Sequence, residues 1–242
     1  MAAAIETPRR IANRERLIFA LDVPDLKGAK DLVARLGDSV VFYKIGLELA
    51  TSRHYFELLD WLLAQDKKVF ADLKLYDIPA TVMAAVRQLA RSGATYLTVN
   101  GDRGVAEAAA QSKGEELKIL AVTVLTSVAQ ADLADSGIAL TIEELVLKRA
   151  RRALASGCDG VIASGLEAAP LRAALPPHAL IVTPGIRPAD GGSTQDQRRV
   201  VTPTLAFRSG ADHIVVGRPI RDAADPYRAA SAIQEEIAGV FG

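Results

Sequence analysis

The stretch KVFADLKLYDIPATVMAAVRQLARSGATYLTVN, residues 68–100, reads as one complete structural repeat. It opens on KVFADLK (68–74), apolar at consecutive positions, as a strand covered on both faces must be. The loop LeuTyrAspIlePro then turns the chain into a helix starting near Pro79, and apolar residues recur three and four apart through TVMAAVRQLARSG (81–93). Gly93 supplies the left-handed residue that closes such a helix, and a second apolar run, YLTVN (96–100), follows directly. Strand, helix and strand in this order form a parallel crossover unit.

Working outward, the same kind of run recurs as LIFALD (17–22), VVFYKIG (40–46), KILAVTVL (118–125), GVIAS (160–164), LIVTPG (180–185) and HIVVGR (213–218), which makes eight in all. Helical periodicity fills the intervals, as in LKGAKDLVARLG (26–37), YFELLDWLLAQ (55–65), IEELVLKRARRALASG (142–157) and AASAIQEEIAGV (229–240). ArgSerGlyAlaThr (91–95), AlaSerGlyCysAsp (155–159) and ArgSerGlyAlaAsp (208–212) each end a helix just before a strand. Eight β/α units without a Pro-, Gly- or Ser-rich linker predict an α/β fold of one class, a single (β/α)8 TIM barrel over residues 17–242. The alternative is a doubly wound open sheet. Residues 1–16 read as a short flexible lead.

The chain has 242 residues, with 29 Lys and Arg balanced by 29 Asp and Glu. No basic surplus or block is available to cover a phosphate backbone, so nucleic acid is not an expected partner. Half the residues are apolar, 24% are charged, and mean hydropathy is +0.16, the composition of a well-buried globular domain. The lead lacks the apolar core of a signal peptide, and no run is long and apolar enough to span a bilayer. One cysteine, Cys158, cannot form an internal disulfide, which fits a reducing cytoplasm.

Barrel enzymes place their chemistry at the C-terminal ends of the strands. Asp22 ends the first run, Lys44 lies near the end of the second, and Asp72 and Lys74 end the third, with Asp77 close behind. Asp72 and Lys74, two apart on a strand, point to the same side. Alone, they could be a structural ion pair and Asp77 a helix N-cap. Lys44 adds a second cation to the same mouth, and the balanced set reads as a preorganised electrostatic site. Lys74 between two carboxylates is kept charged and is suited to donate a proton.

The other half of the chain carries glycine-containing turns after the seventh and eighth runs, the usual phosphate site of this fold, with Arg187 and Arg218 able to add charge-assisted hydrogen bonds. Between them lie residues 189–199, whose Gly- and Ser-rich part, 189–194, reads as mobile, and a lid there could close on a phosphate through Gln195 or Gln197. The two halves together describe an enzyme acting on a small phosphorylated molecule. His54, His178 and His213 lack metal-ligand spacing, and Cys158 and Trp61 read as core.

AspLeuLysLeuTyrAspIlePro (72–79), ThrValLeuThrSer (123–127), ThrProGlyIleArgPro (183–188), AspGlnArgArgVal (196–200) and GlyAlaAspHisIleValValGlyArgProIle (210–220) resemble orotidine 5′-phosphate decarboxylase. The resemblance implies decarboxylation of orotidine 5′-monophosphate to uridine 5′-monophosphate, in pyrimidine biosynthesis, with no cofactor and no metal. It implies a catalytic network of Lys44, Asp72, Lys74 and Asp77, and a homodimer in which Asp77 and Thr81 reach the partner's site. Asp22 and Lys44 would contact the ribose and Ser127 the pyrimidine edge, while Thr126 would shape the subunit boundary. Gln197, Gly217 and Arg218 would hold the phosphate, supported by Arg187. The chain departs from the family's usual residues at Asn100-Gly101, where His-Ala is common, and at Tyr76, where His is common; Asn100 could still donate a hydrogen bond to the network. Two other readings share the barrel: a Mg²⁺-dependent relative such as 3-hexulose-6-phosphate synthase or 3-keto-L-gulonate-6-phosphate decarboxylase, which needs a carboxylate at the Lys44 position, and a non-catalytic nucleotide-phosphate sensor.

Overall fold

In the computed structural model, residues 11–187 and 200–242 are described. Eight parallel strands close on themselves in sequence order, the last pairing with the first, as a (β/α)8 barrel. The strands are β1 (Leu17–Ala20), β2 (Phe42–Ile45), β3 (Lys68–Leu75), β4 (Tyr96–Asn100), β5 (Lys118–Val122), β6 (Gly160–Ile162), β7 (Leu180–Thr183) and β8 (His213–Val216). All eight fall within or within one residue of the predicted runs.

The helices among the described residues are α1 (Leu26–Leu36), α2 (Leu47–Ala50), α3 (Tyr55–Leu63), α4 (Pro79–Ala90), α5 (Arg103–Ser112), α6 (Gln130–Asp135), α7 (Ile142–Ala155), α8 (Ala168–Ala174), α9 (Pro203–Arg208), α10 (Arg218–Arg221) and α11 (Pro226–Phe241). Gly93, Gly157 and Gly210, which follow α4, α7 and α9, have φ of 81°, 91° and 97°, the left-handed geometry read from the repeated Ser-Gly motif. Of the expected lead, Asn13–Glu15 form a 3-10 turn before β1. Its Glu15 carbonyl accepts a hydrogen bond from His213 Nδ1 at 2.9 Å.

Strand alternation divides the core in two. Ile18, Ala20, Phe42, Phe70, Tyr96, Leu120, Leu180, Val182 and Val215 pack inside the barrel, while their strand neighbours Leu17, Phe19, Tyr43, Val69, Ala71 and Leu97 join the larger layer between strands and helices. This alternation positions the chemistry. Lys44 stands two residues beyond inward Phe42, and Asp72 two beyond inward Phe70, so both arrive over the apolar plug at the C-terminal end.

Candidate active site

Four of the predicted charged residues are joined in an alternating chain. Asp22 Oδ1 lies 3.1 Å from Lys44 Nζ, Lys44 Nζ 3.4 Å from Asp72 Oδ2, and Lys74 Nζ 2.8 Å from Asp72 Oδ1. Lys44 and Asp72 are the enclosed pair, with side chains 11% and 12% exposed, while Lys74 at 36% opens toward the cavity. Gly46 leaves room for this chain, because a Cβ there would meet Lys44 Nζ at 3.0 Å and Asp22 Oδ1 at 3.3 Å.

Burial alone would lower the pKa of the Lys44 ammonium, but Asp72 and then Asp22 outweigh it, and the net direction is upward. Burial pushes the Asp72 carboxyl up, and the opposing pull of Lys44, Lys74 and the Thr98 hydroxyl holds it below the ordinary carboxylate value. Both groups therefore keep their charges at neutral pH.

Asp72 and Lys74 meet as expected, though not through regular strand alternation. Ala71 pairs with Leu97 and Leu75 with Val99, so three residues of β3, Asp72, Leu73 and Lys74, lie opposite Thr98 alone. The strand bulges, and Lys74 adopts a left-handed φ of 50°. Thr98 bridges the irregularity: its hydroxyl donates to Asp72 Oδ1 at 2.8 Å and accepts from the Lys74 backbone N–H at 3.0 Å.

This chain of charges borders a cavity of about 420 Å³. Asp22, Lys44, Asp72, Lys74, Thr126, Arg187, Gly217 and Arg218, all named from the sequence, line it together with Pro184, Gly185 and apolar Val122, Val124 and Ile162. Three expected residues stand elsewhere. Asp77 and Thr81 are exposed and do not line the cavity of their own subunit, and Ser127 is exposed outside it. Asp77 is not the N-cap of α4 either: Ile78 holds that position, and Asp77 Oδ1 accepts from the Ile78 N–H at 2.6 Å. Asn100 does not join the network in the expected way. Its Oδ1 accepts from the Asp102 N–H at 2.9 Å. Gln195, Gln197 and the predicted lid lie outside the described residues. Their flanks are held together, since Ile186 bridges Val201 and the Arg187 N–H donates to the Val201 carbonyl at 3.0 Å.

Sequence reading missed two residues. Thr98 is inward on β4 and fully buried, and a polar residue at an inward position was the available signal. Arg221 also lines the cavity, and its guanidinium donates to the Asp22 carbonyl at 3.0 Å. It lies three residues after Arg218, on the same side of α10.

Among the described residues, no group of three or more His, Cys, Asp or Glu side chains is arranged to hold a metal ion. The ammonium of Lys44 occupies the space between the Asp22 and Asp72 carboxylates.

The fold and its mouth define a barrel enzyme with a lysine–carboxylate chain beside an arginine-lined cavity. The chain belongs to the orotidine 5′-phosphate decarboxylase / HUMPS family, which it matches over residues 15–233. It is 58% identical over 227 residues to orotidine 5′-phosphate decarboxylase of Methylococcus capsulatus, covering 94% of this chain and 93% of that one. It is 53% identical over 236 residues to the enzyme of the same name from Xanthomonas oryzae, covering 97% of each. The crystal structure of orotidine 5′-phosphate decarboxylase from Lactobacillus acidophilus superposes with a TM-score of 0.81 at 36% identity, covering 92% of this chain and 99% of that one.

Proposed function

We propose that this protein decarboxylates orotidine 5′-monophosphate to uridine 5′-monophosphate in pyrimidine biosynthesis. The observation that carries the reading is the alternating chain Asp22–Lys44–Asp72–Lys74 bordering the cavity. In the reaction the bond from C6 to the carboxylate breaks, carbon dioxide departs, and the electron pair stays on C6. That ring carbon has no carbonyl placed to take the charge as a simple enolate, so a fixed cation beside it is the help a protein can offer. Lys74 Nζ provides the cation, then transfers one of its protons to C6 and is reprotonated from water. Lys44 and Asp72 hold that ammonium in place before the reaction begins, so little reorganisation is left for the transition state.

Arg187 and Arg218, with Gly217 and Gln197, take the phosphate in this reading, and Asp22 with Lys44 takes the ribose. Arg221 adds a third guanidinium to the same lining. Phosphate binding, remote from C6, contributes energy that is expressed at the reacting carbon, so a substrate lacking phosphate loses turnover as well as affinity.

The active unit in this proposal is a homodimer. Asp77 and Thr81 stand on the outer surface beside Tyr76 and Ile78, two large side chains 67% and 66% exposed, which suits a segment that completes a partner's site. No metal is required: the Lys44 ammonium already occupies the place between the two carboxylates where a divalent ion would bind, which disfavours the Mg²⁺-dependent sugar-phosphate reading.

The test is incubation of purified protein with orotidine 5′-monophosphate and excess chelator while the orotate absorbance is followed. Full turnover is expected, and in D₂O the product carries deuterium at C6. Loss of activity with chelator and recovery with Mg²⁺ would establish the metal-dependent reading instead. Nucleotide binding without turnover under either condition would leave the sensor.

A further inference from the structure

We propose that Thr98 is a positioning residue that holds both the carboxylate of Asp72 and the backbone of Lys74 in their working geometry, an inference that rests on the decarboxylase reading. The bulge in β3 sets three residues against one on β4, and Thr98 is that one. An ordinary strand partner would meet the β3 backbone with its own main chain. Here a side chain does so: Thr98 Oγ1 accepts the Lys74 N–H at 3.0 Å, at the residue whose φ is 50°. The same hydroxyl spends its single proton on Asp72 Oδ1 at 2.8 Å, the oxygen that also receives Lys74 Nζ at 2.8 Å.

One fully buried hydroxyl therefore ties the general acid's backbone to the carboxylate that aims its ammonium. Thr98 does not line the cavity, so it acts through Asp72 and Lys74 and not on substrate. The charged or titratable groups around Asp72 are Lys44 and Lys74, with Tyr55 of α3 coupled to it electrostatically. Thr98 is the neutral donor in this set, and its hydrogen bond favours the ionised carboxylate.

The test compares Thr98→Val, which keeps the shape and removes the hydroxyl, with Thr98→Ser, which keeps the hydroxyl. Thr98→Val is expected to lower kcat about 10- to 100-fold, the loss typical of a buried hydrogen bond to a charged group. Its KM and its affinity for uridine 5′-monophosphate stay within about two-fold, since the phosphate and ribose contacts lie elsewhere. The acid limb of its kcat profile moves to higher pH, because Asp72 has lost a donor. Thr98→Ser restores kcat and the limb. Amide hydrogen exchange at Lys74 reads the backbone link without turnover: protection falls in the valine variant and returns in the serine variant. The proposal is overturned if the valine variant keeps its kcat or its Lys74 protection, or if the serine variant behaves like valine; should the valine variant fail to fold, Thr98→Ala, which also lacks the hydroxyl, takes its place in the same comparison. A wild-type protein without turnover would instead overturn the decarboxylase reading, and the exchange data would still decide whether Thr98 holds Lys74.

Discussion

A lysine at φ 50° costs roughly 1–2 kcal/mol relative to ordinary strand geometry, because its Cβ crowds the following carbonyl. That cost is confined to the residue proposed to perform the chemistry, where two hydrogen bonds, one donated by the backbone N–H and one by the ammonium, compensate it. Alanine carries the same Cβ and therefore the same backbone cost, so Lys74→Ala removes the ammonium with little else. Asp72 retains Lys44 at 3.4 Å and Thr98 at 2.8 Å, which leaves the carboxylate partnered. Loss of both cation and proton donor is expected to reduce turnover at least about 10³-fold. Affinity for uridine 5′-monophosphate, measured by calorimetry, is expected to persist; a variant that has lost both affinity and turnover would mean that Lys74 serves binding.

At the scale of elements, the barrel bottom is as deliberately built as its mouth. The aspartates that close two of the Ser-Gly motifs join neighbouring units: Asp159 accepts the Ile119 N–H at 2.9 Å and pairs with Lys113, while Asp212 accepts the Ile181 N–H at 2.8 Å and pairs with Arg172. The repeat was visible in the sequence, and so were the eight strands, because double-sided burial imposes consecutive apolar residues. The β3 bulge was not, since ADLKL is compatible with regular alternation and the irregularity depends on which residue of β4 stands opposite. For the same reason Asp72 and Lys74 were legible, while Thr98 showed only as a polar residue at an inward position, with nothing to say which β3 groups it would meet. His213 extends the point, since its lack of metal spacing left open what it does. It is buried inside the barrel, with Nδ1–H donating to the Glu15 carbonyl and Nε2 accepting from the Tyr96 hydroxyl at 2.8 Å. Burial, with Arg16 and Lys68 adding, pushes its pKa down to about 3 from 6.5. The unfolded chain thus binds a proton that the folded chain refuses, and stability present above pH 6.5 is lost as pH falls toward 3, by roughly 1.4 kcal/mol per pH unit. Urea unfolding across this range should show a shallower pH slope in His213→Gln than in the parent; equal slopes would assign the acid sensitivity to other groups.

At the scale of the whole molecule, closure of the barrel leaves no open strand edge among the described residues, so contacts between copies of this part fall to loops and helices. Large exposed apolar residues follow several strand ends at the mouth: Leu47 after β2, Tyr76 and Ile78 after β3, Leu125 after β5 and Leu166 after β6. Single exposed apolar residues are ordinary on any surface, but their recurrence around the opening that holds the charged chain suits the proposed homodimer, joined at its active sites. In the proposed dimer the two sites would be composite, each taking Lys74 from one copy and Asp77 from the other. Lys74→Ala and Asp77→Ala proteins should then be nearly inactive alone. Unfolded and refolded together in equal amounts, they should form mixed dimers in which one site carries both substitutions and the other carries neither. Random pairing makes half the dimers mixed, so about a quarter of parental activity is expected to return. Sites complete within one subunit would give no recovery on mixing, and size-exclusion chromatography of the same samples would show whether mixed dimers had formed.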